Sequence, residues 1–207
     1  MVKMLSRSVI DTKYIERCAN WSDIYEHLPT LARYASECNH ITEMGVRSVV
    51  SSYAFAHALK NKTSNKIVQV DLYCDENVIA FKNECEKENI NVVFHQASSL
   101  DCPLEQTDLL FIDTWHVYGQ LKRELERWNT YVGKYIIMHD TTVDEWAGET
   151  IRDRLDAKKQ SEATGIPIHE ITKGLWPAIR EFLASHPEWI MRERYNNNNG
   201  LTILERV

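Results

Sequence analysis

The chain has 207 residues, 43% hydrophobic and 26% charged, with a formal net charge of -6. That length supports one domain with a sizeable core, and this composition is that of an ordinary globular protein. The mild acidity, without a Lys/Arg cluster, argues against a nucleic-acid partner, and no apolar run is long enough to cross a bilayer.

In chain order, residues 9–36 read as helical. "HITEM" (40–44) is a short strand, and "VVSSYAFAHALK" (49–60) carries apolar residues at helical spacing. "KIVQVDL" (66–72) is a strand and "DENVIAFKNECEKEN" (75–89) a helix with an acidic start. Strands follow at "NVVFHQA" (91–97) and "TDLLFID" (107–113), then a helix through "VYGQLKRELERWNTYV" and a strand at "GKYIIMHD" (133–140). A helix is predicted over 146–160 and another from near Trp176, with Pro177 in its first turn. "EWIMRERYNNNNGLTILERV" reads as two strands around an Asn-rich turn. The pattern predicts an α/β fold: a doubly wound, mostly parallel, seven-stranded sheet closed by a C-terminal antiparallel hairpin. Residues 1–207 are expected to form a single domain, with about 1–37 as a helical segment before the core at 38–207. The N-terminus has no signal-peptide core and the five cysteines lack paired spacing, so the expected setting is a reducing cytoplasm.

Four predicted strands end in an acid: Glu43, Asp71, Asp113 and Asp140. Ligands of open α/β sheets bind outside the carboxyl ends of the strands, so four acids there predict a ligand-binding crescent. One such acid alone could equally be a helix N-cap. In "ITEMGVRSVVSSYAF" only Gly45 is a glycine; Val46, Ser48 and Ser51 stand where others would make a pyrophosphate cradle. A ligand without a pyrophosphate fits better, and Asp71 is placed to accept ribose hydroxyls. A nicotinamide-linked oxidoreductase is disfavoured for the same reason. His116 follows Asp113 by three residues and could act as a base or cap the next helix. His139 could be a ligand or a satisfied core histidine. Trp115, Trp146 and Trp176 could line an acceptor pocket, whereas Trp128 and Trp189 read as core and "LKRELER" as a solvated helix face.

The blocks "TEMGVRSVVSSYAF", "VQVDLY", "FIDTWHVYGQLKRELERW", "YIIMHDTT", "GLWPAIREFL" and "NNNNGLTILER" occur in an order that resembles class I S-adenosylmethionine (SAM)-dependent methyltransferases. Within them it resembles small cation-dependent O-methyltransferases of sugar and natural-product tailoring. Relatives of this kind accompany glycan-assembly enzymes in bacteria and large DNA viruses, so the cytoplasm could be a host's. The resemblance implies a Rossmann-like sheet, SAM as cofactor and Mg²⁺ or Mn²⁺ as a divalent cation. It implies that Glu43, Gly45 and Ser51 belong to the SAM loop and that Asp71 binds the ribose. Ser98 and Ser99 would border the adenine, and Asp113 would lie at the cofactor as well as on the metal. Asp113 and Asp140 would be metal ligands, joined by His139 where several relatives carry an acid. His116 would be the base, and Trp115 and Trp146 would face a glycan or small-molecule acceptor. No membrane or nucleic-acid partner is implied, and a homo-oligomer is left open. The competing readings are an O-methyltransferase of a catechol-like or other small natural product, and a degenerate methyltransferase fold kept as a binding module.

Overall fold

The computed structural model describes residues 8–207; the portion of the N-terminal reading on residues 1–7 lies outside them. The chain opens with α1 (Val9–Ala19), a 3-10 turn (Tyr25–His27) and α2 (Leu28–Ala35). It continues with β1 (His40–Met44), α3 (Val50–Leu59), β2 (Lys66–Asp71), α4 (Glu76–Lys87) and β3 (Val92–Gln96). Next come β4 (Thr107–Ile112), α5 (Tyr118–Trp128) and β5 (Val132–His139). The last part holds α6 (Glu149–Arg152), α7 (Ala157–Thr164), α8 (Ile168–Ile171), α9 (Leu175–Ser185), β6 (Trp189–Tyr195) and β7 (Leu201–Arg206).

The seven strands lie in the order β3-β2-β1-β4-β5-β7-β6, with the first five parallel and β7 antiparallel to both of its neighbours. Alternation along the central strands explains why both faces are covered. In β4, Leu109 and Phe111 join a core with Leu28, Leu31, Phe55 and Phe81. Leu110 and Ile112 join the opposite core with Leu121, Trp128, Ile179 and Trp189. The predicted core roles of Trp128 and Trp189 hold.

Two expectations change. The helix predicted over 146–160 is broken into α6 and α7, because Arg154 takes a left-handed φ of 55° and Asp156 caps the next helix through the amides of Lys158 and Lys159. The "LKRELER" face is only partly solvated: Leu121, Leu125 and Glu124 are buried. All five cysteines are free.

The strand order reverses between β1 and β4, and the carboxyl ends of those two strands meet tightly. Asp113 N–H donates to Met44 O at 2.8 Å. Gly45 has φ +84°, and a Cβ built there would stand 1.9 Å from the Asp113 carbonyl oxygen. Only glycine allows both that φ and that approach.

Candidate functional site

Register decides which acids reach the rim. Asp71 is the last residue of β2, and Asp113 and Asp140 each lie one residue past a strand end. Glu43 lies one residue before the end of β1 and shares the face of Ile41, so it points beneath α3. It is fully buried and accepts from Ser51 Oγ at 2.5 Å, Ser52 Oγ at 2.6 Å and Gln69 Nε2 at 3.0 Å. The expectation that Glu43 lines the crescent is therefore corrected: it anchors the start of α3, and Ser51 spends its hydroxyl on it. Burial pushes the Glu43 carboxyl up to about 7, against the pull of those three donors.

The loop between β1 and α3 is held from β2. Asp71 Oδ2 accepts from the Val46 and Arg47 amides at 2.7 and 3.0 Å, and its Oδ1 accepts from Tyr73 N–H at 3.1 Å. Arg47 and Val49 both take left-handed φ values, of 43° and 54°. Arg47 also pairs with Asp23 at 2.6 Å, which ties the loop to the segment after α1. A carboxylate has room for about four acceptor contacts, so Asp71 keeps capacity for a ligand hydroxyl while it shapes the loop.

Ser98 and Ser99 follow β3. Ser98 Oγ accepts from Leu100 N–H at 3.2 Å in a local turn. Ser99 is buried and donates to Glu124 Oε1 at 2.5 Å, so its hydroxyl is committed away from any ligand. Glu124 also accepts from Thr114 and Gln120, and burial raises its carboxyl. That network braces the turn after β4 from below.

The densest cluster of charge lies at the ends of β4 and β5. Asp113 Oδ1 stands 3.2 Å from His116 Nε2 and 3.3 Å from His139 Nδ1. Asp140 Oδ2 stands 3.1 Å from His116 Nε2 and 3.3 Å from His139 Nδ1. Asp113, His139 and Asp140 each offer a ligand atom within 4.8 Å of the others, and so do His116, Asp140 and Asp144. Asp140 is buried, takes φ 57°, and its Oδ1 has no hydrogen-bond partner. Such a set fits a cation: a buried acceptor lacks a donor where two carboxylates and two imidazoles converge.

The two histidines are gripped from outside. His139 Nε2 meets the Asn198 carbonyl at 3.1 Å, in the Asn-rich turn between β6 and β7. That turn is fixed in place: Glu26 N–H donates to Asn198 Oδ1 at 3.0 Å, Asn198 Nδ2 donates to Ser22 O at 3.0 Å, and His27 Nε2 lies 2.9 Å from Asn197 O. His116 Nδ1 faces Asp144 Oδ2 at 3.5 Å and Glu149 Oε2 at 3.3 Å, without an in-line bond to either. Arg152 pairs with Asp144 at 2.7 Å. Burial disfavours charge on both rings, but the surrounding carboxylates win: His139 is pushed up to about 10, and His116 well above its ordinary value. Burial likewise pushes Asp113 up, yet the His139 charge and the bonds from both rings hold it well below the usual carboxylate range.

Both ring nitrogens of His116 face carboxylates: Nε2 lies between Asp113 and Asp140, and Nδ1 between Asp144 and Glu149. Asp144, Glu149 and Arg152 were not singled out from sequence. Asp144 stands four residues after Asp140, and Glu149 lies inside the stretch read as one long helix.

Trp115 is partly buried and lines a narrow cleft with Thr114, His116, Glu124 and His139. Trp146 is 59% exposed on the loop between Asp140 and α6. Trp176 instead packs against the second core, with the Arg194 guanidinium 3.8 Å from its ring centroid.

No family profile and no curated protein matches the sequence. Solved structures do match the fold. The O-methyltransferase TomG from Streptomyces achromogenes, involved in tomaymycin synthesis and crystallised with SAM, aligns at a TM-score of 0.64 and 13% identity, over 99% of this chain and 92% of that one. An O-methyltransferase from Bacillus cereus in complex with S-adenosylhomocysteine (SAH) aligns at 0.58 and 13% identity, over 100% of this chain and 94% of that one. The SAH-bound Podospora anserina methyltransferase PaMTH1 aligns at 0.57 and 14% identity, over 97% and 88%. The chain therefore has the seven-stranded, Rossmann-like fold of class I methyltransferases. At these identities the likeness establishes fold, and activity must be argued from the site.

Proposed function

We propose that the protein is a SAM-dependent O-methyltransferase whose acceptor hydroxyl, on a sugar of a glycan or glycoconjugate, is activated by a divalent cation. The observation that carries this reading is the convergence of Asp113, His139 and Asp140, with a donorless buried oxygen on Asp140, at the strand-order reversal next to the Gly45 loop.

SAM would supply an already activated methyl group, so the protein's task is to position the acceptor oxygen and favour its deprotonation. Gly45 lets the turn after β1 pack against the end of β4 beside the rim, and Asp71 would offer its remaining acceptor capacity to ribose hydroxyls. Asp113, His139 and Asp140 would hold the cation. When bound, it would lower the pKa of the acceptor hydroxyl and orient it. Trp146 offers an exposed aromatic face for a sugar ring, and Trp115 borders the cleft. The retained side chains speak against a degenerate binding module, since a fold alone needs no Asp–His–Asp cluster at its rim.

The test is transfer of a radiolabelled methyl group from SAM to a panel of sugar, glycan and catechol acceptors, before and after chelation. Labelling of sugars that EDTA abolishes and a divalent ion restores is the expected result. Preferential labelling of catechols would move the acceptor to small natural products. No labelling of any acceptor, together with no SAH binding, would leave only the binding-module reading.

A further inference from the structure

His116 and His139 come from different segments, one just past β4 and one at the end of β5. Yet each aims one ring nitrogen at the same two oxygens, Asp113 Oδ1 and Asp140 Oδ2, and all four separations are 3.1–3.3 Å. The outer nitrogens face acceptors. His139 Nε2 meets a backbone carbonyl, which can only accept, so that nitrogen carries its proton. His116 Nδ1 faces two carboxylates, and Glu149 brackets the residue further by accepting from the His116 amide at 3.2 Å. In neutral rings held this way, the inner nitrogens present lone pairs toward carboxylate lone pairs. That contact needs positive charge between them: a proton on each ring, or one divalent ion shared by all four atoms. A carboxylate or carbonyl behind each ligating imidazole is the usual means of fixing its tautomer and direction. Ligand distances of 2.0–2.2 Å place neighbouring ligand atoms about 2.8–3.6 Å apart, which spans the observed separations.

We infer that His116 Nε2 is a fourth ligand beside Asp113, His139 and Asp140, and that this two-histidine, two-carboxylate site takes a borderline transition ion such as Mn²⁺, Co²⁺ or Zn²⁺ in preference to Mg²⁺. The inference rests on the cation reading proposed above and names its ligands and its ion. Mg²⁺ favours oxygen ligands and retained water, whereas imidazole suits first-row transition ions. His116 then serves by holding the ion, and Asp144 and Glu149 serve by aiming His116.

The test uses metal-stripped full-length protein and the ions alone. Calorimetric titration should show one equivalent of Mn²⁺ or Co²⁺ bound at least about tenfold tighter than Mg²⁺. Pulsed electron paramagnetic resonance of the Mn²⁺ form should show nitrogen-14 couplings from two imidazoles, falling to one in His116→Gln. That variant should bind Mn²⁺ about 10–100-fold more weakly, with SAH affinity retained. Mg²⁺ binding as tightly as Mn²⁺, or a wild-type Mn²⁺ signal with fewer than two imidazole couplings, overturns the inference. Neither readout depends on the variant folding. If Mg²⁺ binds equally well and Asp113→Asn abolishes it, the cation reading stands and the histidine ligand falls. If no divalent ion binds, both fall.

Discussion

Glu43 gives a prediction that does not depend on any ligand. Its carboxyl is fully buried and pushed up to about 7 by that burial, from an ordinary value of 4.5, despite hydrogen bonds from Gln69, Ser51 and Ser52. Between those two values the folded chain holds a proton that the unfolded chain has released. Stability from this group is therefore full below pH 4.5, falls as pH rises, and levels off above about 7. At 1.36 kcal/mol per unit, the loss across the window is about 3 kcal/mol. For a domain of this size that corresponds to roughly 6–12 °C in melting temperature. Glu43→Gln keeps the shape and a hydrogen-bonding side chain but cannot titrate. Urea unfolding of wild type and variant at pH 4.5, 6 and 7.5 isolates the term, because other titrating groups cancel in the difference. The stability gap should shift by about 3 kcal/mol in favour of the variant as pH rises. Parallel pH profiles for the two proteins would refute the buried, proton-holding role.

The remaining predictions concern the rim. Asp71→Ala removes the acceptor for the Val46 and Arg47 amides as well as for a ribose, so SAH affinity should fall by about 1.5–3 kcal/mol per charge-assisted bond lost; calorimetry showing unchanged affinity would move the cofactor elsewhere. Gly45→Ala places a methyl against the Asp113 carbonyl in a left-handed conformation, and should cost at least about 1–3 kcal/mol in urea unfolding. A stability equal to wild type would mean that β1 and β4 do not meet as described. Asn198→Gly keeps the turn's left-handed φ of 45° but deletes the side-chain bonds to Glu26 and Ser22, so cation affinity should weaken while the fold persists. Mn²⁺ titration showing wild-type affinity would make that turn a simple connector.

Strand content and the mostly parallel sheet with its closing hairpin were legible because β1, β2, β4 and β5 are apolar runs with helical periodicity between them. The three rim acids Asp71, Asp113 and Asp140 were legible because each ends its run. Glu43 resembled them in sequence, but it stands one residue before the end of β1 rather than at it, and the alternation of the strand turns it to the other side of the sheet. Ser99 and Glu124 were misplaced for a related reason: a buried hydrogen bond between a loop and a helix 25 positions away leaves no local pattern. The outer supports of the two histidines escaped notice because one is a backbone carbonyl, present at every residue, Asp144 sits in a turn without periodicity, and Glu149 lies in a stretch whose helix break at Arg154 and Asp156 was not foreseen.

The most direct measurement of the central claim is calorimetric titration of SAH into the wild-type protein and into Asp71→Ala, with and without Mn²⁺. One saturable site per chain in the wild type, weakened in the variant and present with or without the ion, is the predicted result. Absence of saturable SAH binding in the folded wild-type chain would contradict the assignment of this rim to SAM.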